Sequence, residues 1–575
     1  MKKSLSVFMI FVLVTAALLA TGQKEQVQVQ ETEKVGDGWF HKYETPITLS
    51  GNRITSSSTD FTENSYTDWA ERTLGINYEL KWAAPNADTD EQKLTLAMAS
   101  NDLPDIITIK SGDLFARLVR SGTLMPLDDL YDEYASPLTK HLIDLYQTAL
   151  GDKFFSLFTI DGKIYAFPEA SDVFSANWKT LWIRKDILAE LGLPQPGTIE
   201  EFEKVLAAYK EAHPEGVGFV LATDRSLDAV TPIMDAFGAF PQKWTENGSG
   251  KLEYGSTQPQ VKEALETLNR WYENGYIDRE YFIKDPSKNR EPLVAGDALA
   301  IYGNWWYALW PFPDLWKNVP SAEMTALEPL IGPDGTQFIM HDLRNGYFDY
   351  GRAISSSCEH PEALFYLLNE ELDSQFRFDE ALRAEMKKQG YEFKYPSEQW
   401  QLPQNPDAPQ EEQVYNYMVE GPDKFWNTFT GNPVNLPFGF KYNERPYDLF
   451  DRYVRMAAAF NKGDMESLNT TDYIDYKEYF SDPPNKIRAH VADVEVYNSI
   501  KDKDIIRYNR FTTSPTATML DRQAYLDKIE DEYFTKIITG QLPVDAFDDY
   551  VSEWKKAGGD AITEEVNDWW ATAAE

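Results

Sequence analysis

From Ile47 onward, apolar residues fall into short runs that alternate with stripes at helical spacing. Ile47–Ile54 has strand character, and the polar loop Ser56–Asn64 follows it. Trp69 and Leu74 share a helix face that stops at Gly75, and Ile76–Trp82 gives the next strand. Glu91–Ser100 carries Leu94, Ala97 and Met98 at core spacing, Asn101 and Pro104 end it, and Asp105–Ile109 is a short buried strand. Strand, helix, strand, helix in that order predicts an α/β fold with a mostly parallel sheet and helices on both faces.

The alternation continues downstream. Asp161–Pro168 is a turn feeding a strand that a proline closes, Thr180–Arg184 is another strand, and Lys185–Leu191 is a helix stopped by Gly192. Thr198 with Glu201 makes a capping box, after which Phe202, Val205, Leu206 and Tyr209 repeat as one helical face. A helix over Gln258–Asn274 ends at Gly275, and Ala298–Tyr302 is a buried strand broken by Gly303. Residues 390–480 are rich in Pro, Asn, Tyr and Asp and show little periodicity. Near the end, Leu526, Ile529, Tyr533 and Ile537 form one stripe before Gly540, and Phe547, Val551 and Trp554 another before Gly558.

A chain of 575 residues with 42% hydrophobic and 26% charged positions folds, and its length implies two or more domains. Its formal charge of −38 repels phosphate backbones and anionic lipid, which argues against nucleic acid and membrane surfaces as partners. Aromatic residues reach 14%, and flat rings suit the C–H faces of sugars as well as they suit cores. Met1-Lys2-Lys3, the apolar Val7–Ala20 and the small residues Ala20-Thr21-Gly22 read as a secretory signal over 1–22. Residues 23–45 read as a tether, and no later apolar run reaches the roughly 18 to 20 residues a membrane span requires. The mature chain is therefore expected to be periplasmic or secreted, with no insertion into the membrane. Thr21, Gly22 and Gln23 offer no thiol for lipid attachment, and Cys358 alone forms neither an intrachain disulfide nor a Cys-rich metal site. Cys358 is expected as a small core residue.

Motifs for catalysis are nearly absent. There is no Gly-x-Ser-x-Gly elbow, no His-Glu-x-x-His pair and no phosphate-cradling glycine loop, and the histidines at 41, 141, 213, 341, 360 and 490 show no metal-ligand spacing. Among 93 acidic residues only geometry would single out a glycosidase pair, so a polysaccharide hydrolase or lyase stays as the alternative. More telling is Ala300–Tyr307, where a buried strand ends and presents Asn304, Trp305, Trp306 and Tyr307. Strand ends of open α/β sheets receive ligands, so these rings are placed either as a sugar platform or as a plug at a core edge.

Several stretches together resemble the carbohydrate-type extracellular solute-binding proteins of ABC importers, in particular the long members related to oligosaccharide and alginate binders. They are Leu94–Ile107 (LTLAMASNDLPDII), Leu118–Leu130 (LVRSGTLMPLDDL), Asp161–Pro168 (DGKIYAFP), Leu181–Leu193 (LWIRKDILAELGL), Gly351–Leu368 (GRAISSSCEHPEALFYLL) and a tail over Thr513–Trp570. The resemblance implies a two-lobe periplasmic-binding-protein fold of class II type with its ligand cleft at the hinge. The first lobe would hold 46–167 and 352–400, and the second 168–351 and 401–575. Related maltose binders carry Ile-x-Gly-x-Trp where this chain has Ile301, Gly303 and Trp305, and that Trp stacks on sugar, which makes Trp305 the leading candidate. By the same resemblance Asp60 and Asn64 lie on a loop that contributes polar contacts, and Glu169 and Asp172 follow the hinge proline where relatives place an acid. Trp178 and Arg344 join the candidates from their local setting. Alginate-type relatives carry a calcium loop, but His213–Gly218 lacks the spaced oxygen ligands for one, so no metal and no cofactor are expected. The implied function is capture of an oligosaccharide by a monomer and delivery to an ABC permease. An oligopeptide receptor of the same two-lobe plan is a further alternative.

Overall fold

The computed structural model describes residues 38–54, 65–110, 112–150, 154–168, 178–222, 228–341, 351–376, 379–394, 448–468, 472, 476–513 and 515–573. In the first lobe β1 (Ile47–Ile54), β2 (Ile76–Ala84) and β3 (Ile106–Ile109) lead to a small hairpin, β4 (Thr159–Ile160) with β5 (Lys163–Ile164), and then to β6 (Ala166–Pro168). The second lobe begins with β7 (Lys179–Arg184) and β8 (Val217–Val220), followed by a hairpin of β9 (Trp244–Glu246) and β10 (Leu252–Tyr254). It continues through β11 (Ala298–Asn304), β12 (Met324–Leu327) and β13 (Ile339–His341). The chain then returns to the first lobe as β14 (Gly351–Ile354), and β15 (Ile506–Tyr508) later pairs with β13.

Two sheets organise these strands, one in the order β2-β1-β3-β14-β6 and one in the order β12-β7-β11-β8. Both are mixed, where the alternation of strand and helix predicted mostly parallel sheets. The pairs β1–β2, β1–β3 and β11–β8 are parallel, whereas β14–β3, β14–β6, β11–β7 and β12–β7 are antiparallel. A helical crossover returns the chain to the same end of a sheet and so gives parallel neighbours. A strand that arrives from the other lobe enters from the opposite end, and β14 is such a strand.

Each sheet has its own interior. Leu49, Ile107, Phe115, Phe154, Phe167 and Leu367 belong to one buried cluster, drawn from the chain between Tyr43 and Phe167 and again from Ala353 to Tyr391. Cys358 is buried in it, and burial pushes its thiol up to about 12, a value that leaves it protonated and unreactive. A second cluster joins Ile183, Phe202, Leu268 and Leu299 to Leu526, Phe534, Tyr550 and Val566 from the C-terminal helices. A third packs Trp178, Trp182, Ile301 and Phe312 against Ala489, Val496 and Ile500 of the helix Asn485–Ile500.

Local chemistry explains the elements. Thr198 accepts the Glu201 N–H at 3.1 Å, half of the capping box, while the Glu201 carboxylate turns back to the N–H of Gly197 at 2.8 Å instead of that of Thr198. Phe202, Val205, Leu206 and Tyr209 of that helix are all buried. In the helix Ala517–Ile538 the buried stripe is Leu526, Ile529, Phe534 and Ile537, so Phe534 takes the place expected for Tyr533. Tyr533 stays half-buried because its hydroxyl donates to Glu553 at 3.0 Å. Trp554 lies flat on Tyr254, with centroids 4.7 Å apart and planes 8° from parallel, and so ties the terminal helices to the β9–β10 hairpin.

Candidate functional site

Lys179 opens β7 just after the chain has crossed from Pro168, and Asn304 at the end of β11 pairs with it. Leu327 ends β12 opposite Leu181. The start of β7 and the ends of β11 and β12 thus share the hinge-facing end of the second sheet. This is the strand-end position at which α/β sheets take ligands.

Gly303 does not break the strand, as its residue type suggested; β11 runs through it to Asn304. Its role is steric. A Cβ there would stand 1.9 Å from Tyr307 Cε2, so the missing side chain lets the Tyr307 ring lie across the strand. The tight turn Trp305–Ala308 folds back on this contact.

Of the predicted rings, Tyr307 is a core plug, 3% exposed, whereas Trp305 and Trp306 are shared between core and surface. Trp305 is half-buried and tilts at 50° against Tyr453, 5.1 Å away. Trp306 is half-buried and faces Trp310 at 6.0 Å and 21°, and the Arg290 guanidinium covers Trp310 at 4.5 Å. Trp310 itself is 45% exposed. Asn304 is half-buried beside them.

Trp178 departs from expectation. It is 0% exposed, its indole N–H donates to Asp493 Oδ1 at 2.9 Å, and its edge meets Tyr497 at 5.8 Å. A ring so enclosed, with its one donor satisfied inside the protein, packs the core and does not offer a stacking face. Burial lifts the Asp493 carboxyl to about 7, against the opposing pull of hydrogen bonds from Trp178 and Thr180. Asp60, Asn64, Glu169, Asp172 and Arg344 lie outside the described residues.

Two polar groups at these sheets were not anticipated. In the first lobe Asn52 on β1 is fully buried; its amide donates to both Asp90 oxygens at 3.0 and 2.9 Å and to Thr108 O at 3.0 Å, and its Oδ1 accepts the Thr108 N–H at 2.8 Å. Trp82 Nε1 adds a 2.7 Å bond to Asp90, whose carboxyl is nonetheless raised by burial. This network fixes β1, β2 and β3 to one another near the end of β1. Nothing in the sequence of β1, which also carries Thr48, Ser50 and Arg53, sets Asn52 apart.

The second is Asp235, at the end of the short helix Thr231–Ala236 and 3% exposed. Its Oδ2 accepts the Met340 N–H at 3.0 Å, and its Oδ1 has no partner among the described residues. Asp235 lines a cavity of about 30 Å³ with Trp178, Lys179, Tyr302, Leu327 and Phe338, at the hinge-facing strand ends. A larger cavity of about 510 Å³, lined by Lys185, Phe460, Arg488 and Glu495 among others, runs along β12 from Glu323 to Glu328, beside the helix Asn485–Ile500. The smaller one lies at the strand ends next to Asn304 and the Trp305 turn.

Among the described residues no group of three or more His, Cys, Asp or Glu is gathered as a metal site, and no helix is long and apolar enough to cross a membrane.

Comparison with known proteins agrees with this architecture. Lipoprotein LipO of Bacillus subtilis (strain 168) is 28% identical over 241 residues, 40% of this chain and 45% of its own length, so the match spans under half of that relative. The polygalacturonan/rhamnogalacturonan-binding protein YtcQ of the same organism is 23% identical over 511 residues, 87% of this chain and 86% of its own. The crystal structure of alginate-binding protein AlgQ2 without calcium ion superposes with a TM-score of 0.62 at 18% identity, over 92% of this chain and 99% of that one, which establishes a shared two-lobe fold. The family model for bacterial extracellular solute-binding proteins matches residues 59–365, more than half of the chain. With its two sheets, its paired cores and that match, the chain belongs to the bacterial extracellular solute-binding protein family.

Proposed function

We propose that this protein captures an oligosaccharide between its lobes and delivers it to an ABC permease without altering it chemically. The observation that carries the reading is the aromatic turn at the hinge-facing end of β11, in a chain of solute-binding family. Trp305 and Trp306 offer ring faces and Asn304 an amide, while the segments holding Asp60, Asn64, Glu169, Asp172 and Arg344 supply polar partners. Rings remove the apolar C–H faces of a sugar from water, and carboxylates accept its hydroxyls in charge-assisted hydrogen bonds. Two relatives are named for polygalacturonan/rhamnogalacturonan and for alginate, which supports a saccharide as cargo. A ligand that touches both lobes only when they are shut stabilises the closed form by its differential affinity, and the permease reads that form. The mature protein acts as an exported, freely diffusing monomer, released from its signal near residue 22.

The test is titration of purified protein with neutral oligosaccharides, galacturonate oligomers and peptides, followed by tryptophan fluorescence and calorimetry, with chromatography of the recovered ligand. Saturable binding of a saccharide recovered intact supports the reading. Turnover of the saccharide, or binding of peptides alone, overturns it. Trp305→Ala is expected to weaken saccharide binding about tenfold or more.

A further inference from the structure

We propose that Asp235 is a specificity-determining residue whose free carboxyl oxygen receives a single hydroxyl or hydroxymethyl group of the bound saccharide. The inference rests on the oligosaccharide reading and adds to it one position in the ligand.

Three observations converge on it. Asp235 is 3% exposed, yet only Oδ2 is engaged, by the Met340 N–H at 3.0 Å, while Oδ1 has no partner among the described residues. A buried polar atom calls for a partner, and in the cavity beside it that partner is a water or a ligand hydroxyl that takes the water's place. The cavity it lines measures about 30 Å³, room for one or two waters or for a single hydroxymethyl group. Most of its walls, among them Leu327, Tyr302, Phe338 and the enclosed Trp178, are apolar or aromatic, with Lys179 and Thr180 the other polar residues beside Asp235. Finally, the cavity sits beside Lys179, at the strand ends that face the hinge, one strand from the Trp305 turn.

Burial raises the Asp235 carboxyl to about 8, against the lowering influence of the Met340 N–H, Lys243 and Lys179. A hydroxyl both donates and accepts, so it can pair with this group protonated or ionised; a ligand carboxylate can pair only with the protonated form. A hydroxyl is thus the group that Asp235 can receive in either protonation state, whereas a ligand carboxylate would be accepted only below the raised value.

The test pairs ligand and protein changes. Monodeoxy analogues of kestose and of a galacturonate trimer are measured, for whichever parent binds, against the wild-type protein and Asp235→Leu, which keeps the side-chain bulk and removes both oxygens; Asp235→Asn would not serve, because its free amide N–H could still donate to the hydroxyl. The expected result is that one deoxy position loses about tenfold or more in affinity for the wild type and almost nothing for D235L, which is itself weakened to the same degree. Should D235L fail to fold, Leu327→Phe, which fills the cavity and leaves Asp235 in place, must produce the same loss confined to the same position. If D235L binds the parent saccharide as tightly as the wild type, or if every deoxy effect adds independently of position 235, Asp235 serves the fold alone and the inference falls while the oligosaccharide reading stands. Failure of the wild type to bind any saccharide defeats both together.

Discussion

Gly303→Ala is a small change with a large expected effect. The new Cβ would lie 1.9 Å from Tyr307 Cε2, 2.2 Å from Cζ and 2.5 Å from Cδ2. Carbon atoms in contact sit about 3.5–4.0 Å apart, so the ring must retreat by roughly 1.5–2 Å. It has little room to do so. Tyr307 is 3% exposed, with Phe312 edge-on at 5.9 Å and Trp306 at 5.1 Å. Overpacking of this kind costs about 1–3 kcal/mol, and a rigid ring opposing a strand backbone belongs at the upper end. Tyr307→Ala alone deletes a buried aromatic side chain and costs about 3–5 kcal/mol. In the double variant the Cβ occupies space the ring has left, so the alanine at 303 becomes nearly free. The double-mutant cycle should therefore close with a coupling of about 2–3 kcal/mol. Equilibrium urea unfolding followed by tryptophan fluorescence measures it. Because Trp305 and Trp306 hang on the same turn, Gly303→Ala should also weaken saccharide binding. Equal destabilisation by the alanine with and without the Tyr307 ring would show that the ring does not hold this turn in place.

Other expectations follow from the same geometry. Trp178→Phe removes the donor to buried Asp493 and should cost about 1–3 kcal/mol in thermal unfolding; an unchanged melting temperature would show that this hydrogen bond does not hold the core. Asn52→Leu strips Asp90 of its amide partner and leaves the Thr108 N–H unpaired, and should lower stability by about 3 kcal/mol in urea denaturation, with a change under 1 kcal/mol refuting the network's importance. Stability should also depend on pH in a defined direction. Asp235, Asp493 and Glu530 are raised by burial to about 8, 7 and 7, so the folded state keeps protons that the unfolded state has released above about pH 4, and their stabilisation is lost as pH rises through 7 to 8. His341 and His490 are lowered by burial to about 4 and 3, so their contribution is lost as pH falls from about 6.5 toward those values. Between pH 6.5 and 8 the carboxyls act alone, and a variant carrying D235N, D493N and E530Q should show a flatter fall in melting temperature across that window than the wild type; identical slopes would contradict the assignment.

Much of the fold was legible because it rests on local signals. The stops at Gly75 and Gly192 and the cap at Thr198 act within a few residues, and each stands where the pattern placed it. Strand direction was not legible, because it depends on which lobe a segment comes from, and nothing near Gly351 encodes the path of the chain before it. The stripe over the helix Ala517–Ile538 was misread by one residue for a related reason: Tyr533 and Phe534 look alike in hydropathy, and Glu553, twenty residues away, decides which turns outward. At the candidate site the aromatic turn was legible because ring types cluster at a strand end. Trp178 was misjudged since its partner Asp493 lies 315 residues further along. Asp235 gave no signal, as an acid in a short helix is ordinary until burial and an unpaired oxygen set it apart.

The interior of the second lobe is assembled from the two ends of a long detour, with Ile183 and Phe202 meeting Phe534, Tyr550 and Val566. An interior built from segments so far apart along the chain cannot close until the stretch through Val566 has been made, so the segments from Ile183 to Leu299 wait for it with an apolar face uncovered. Cleavage of the chain between the helices that carry Phe534, Tyr550 and Val566 should therefore unravel the part of the molecule that lies earliest beyond the hinge.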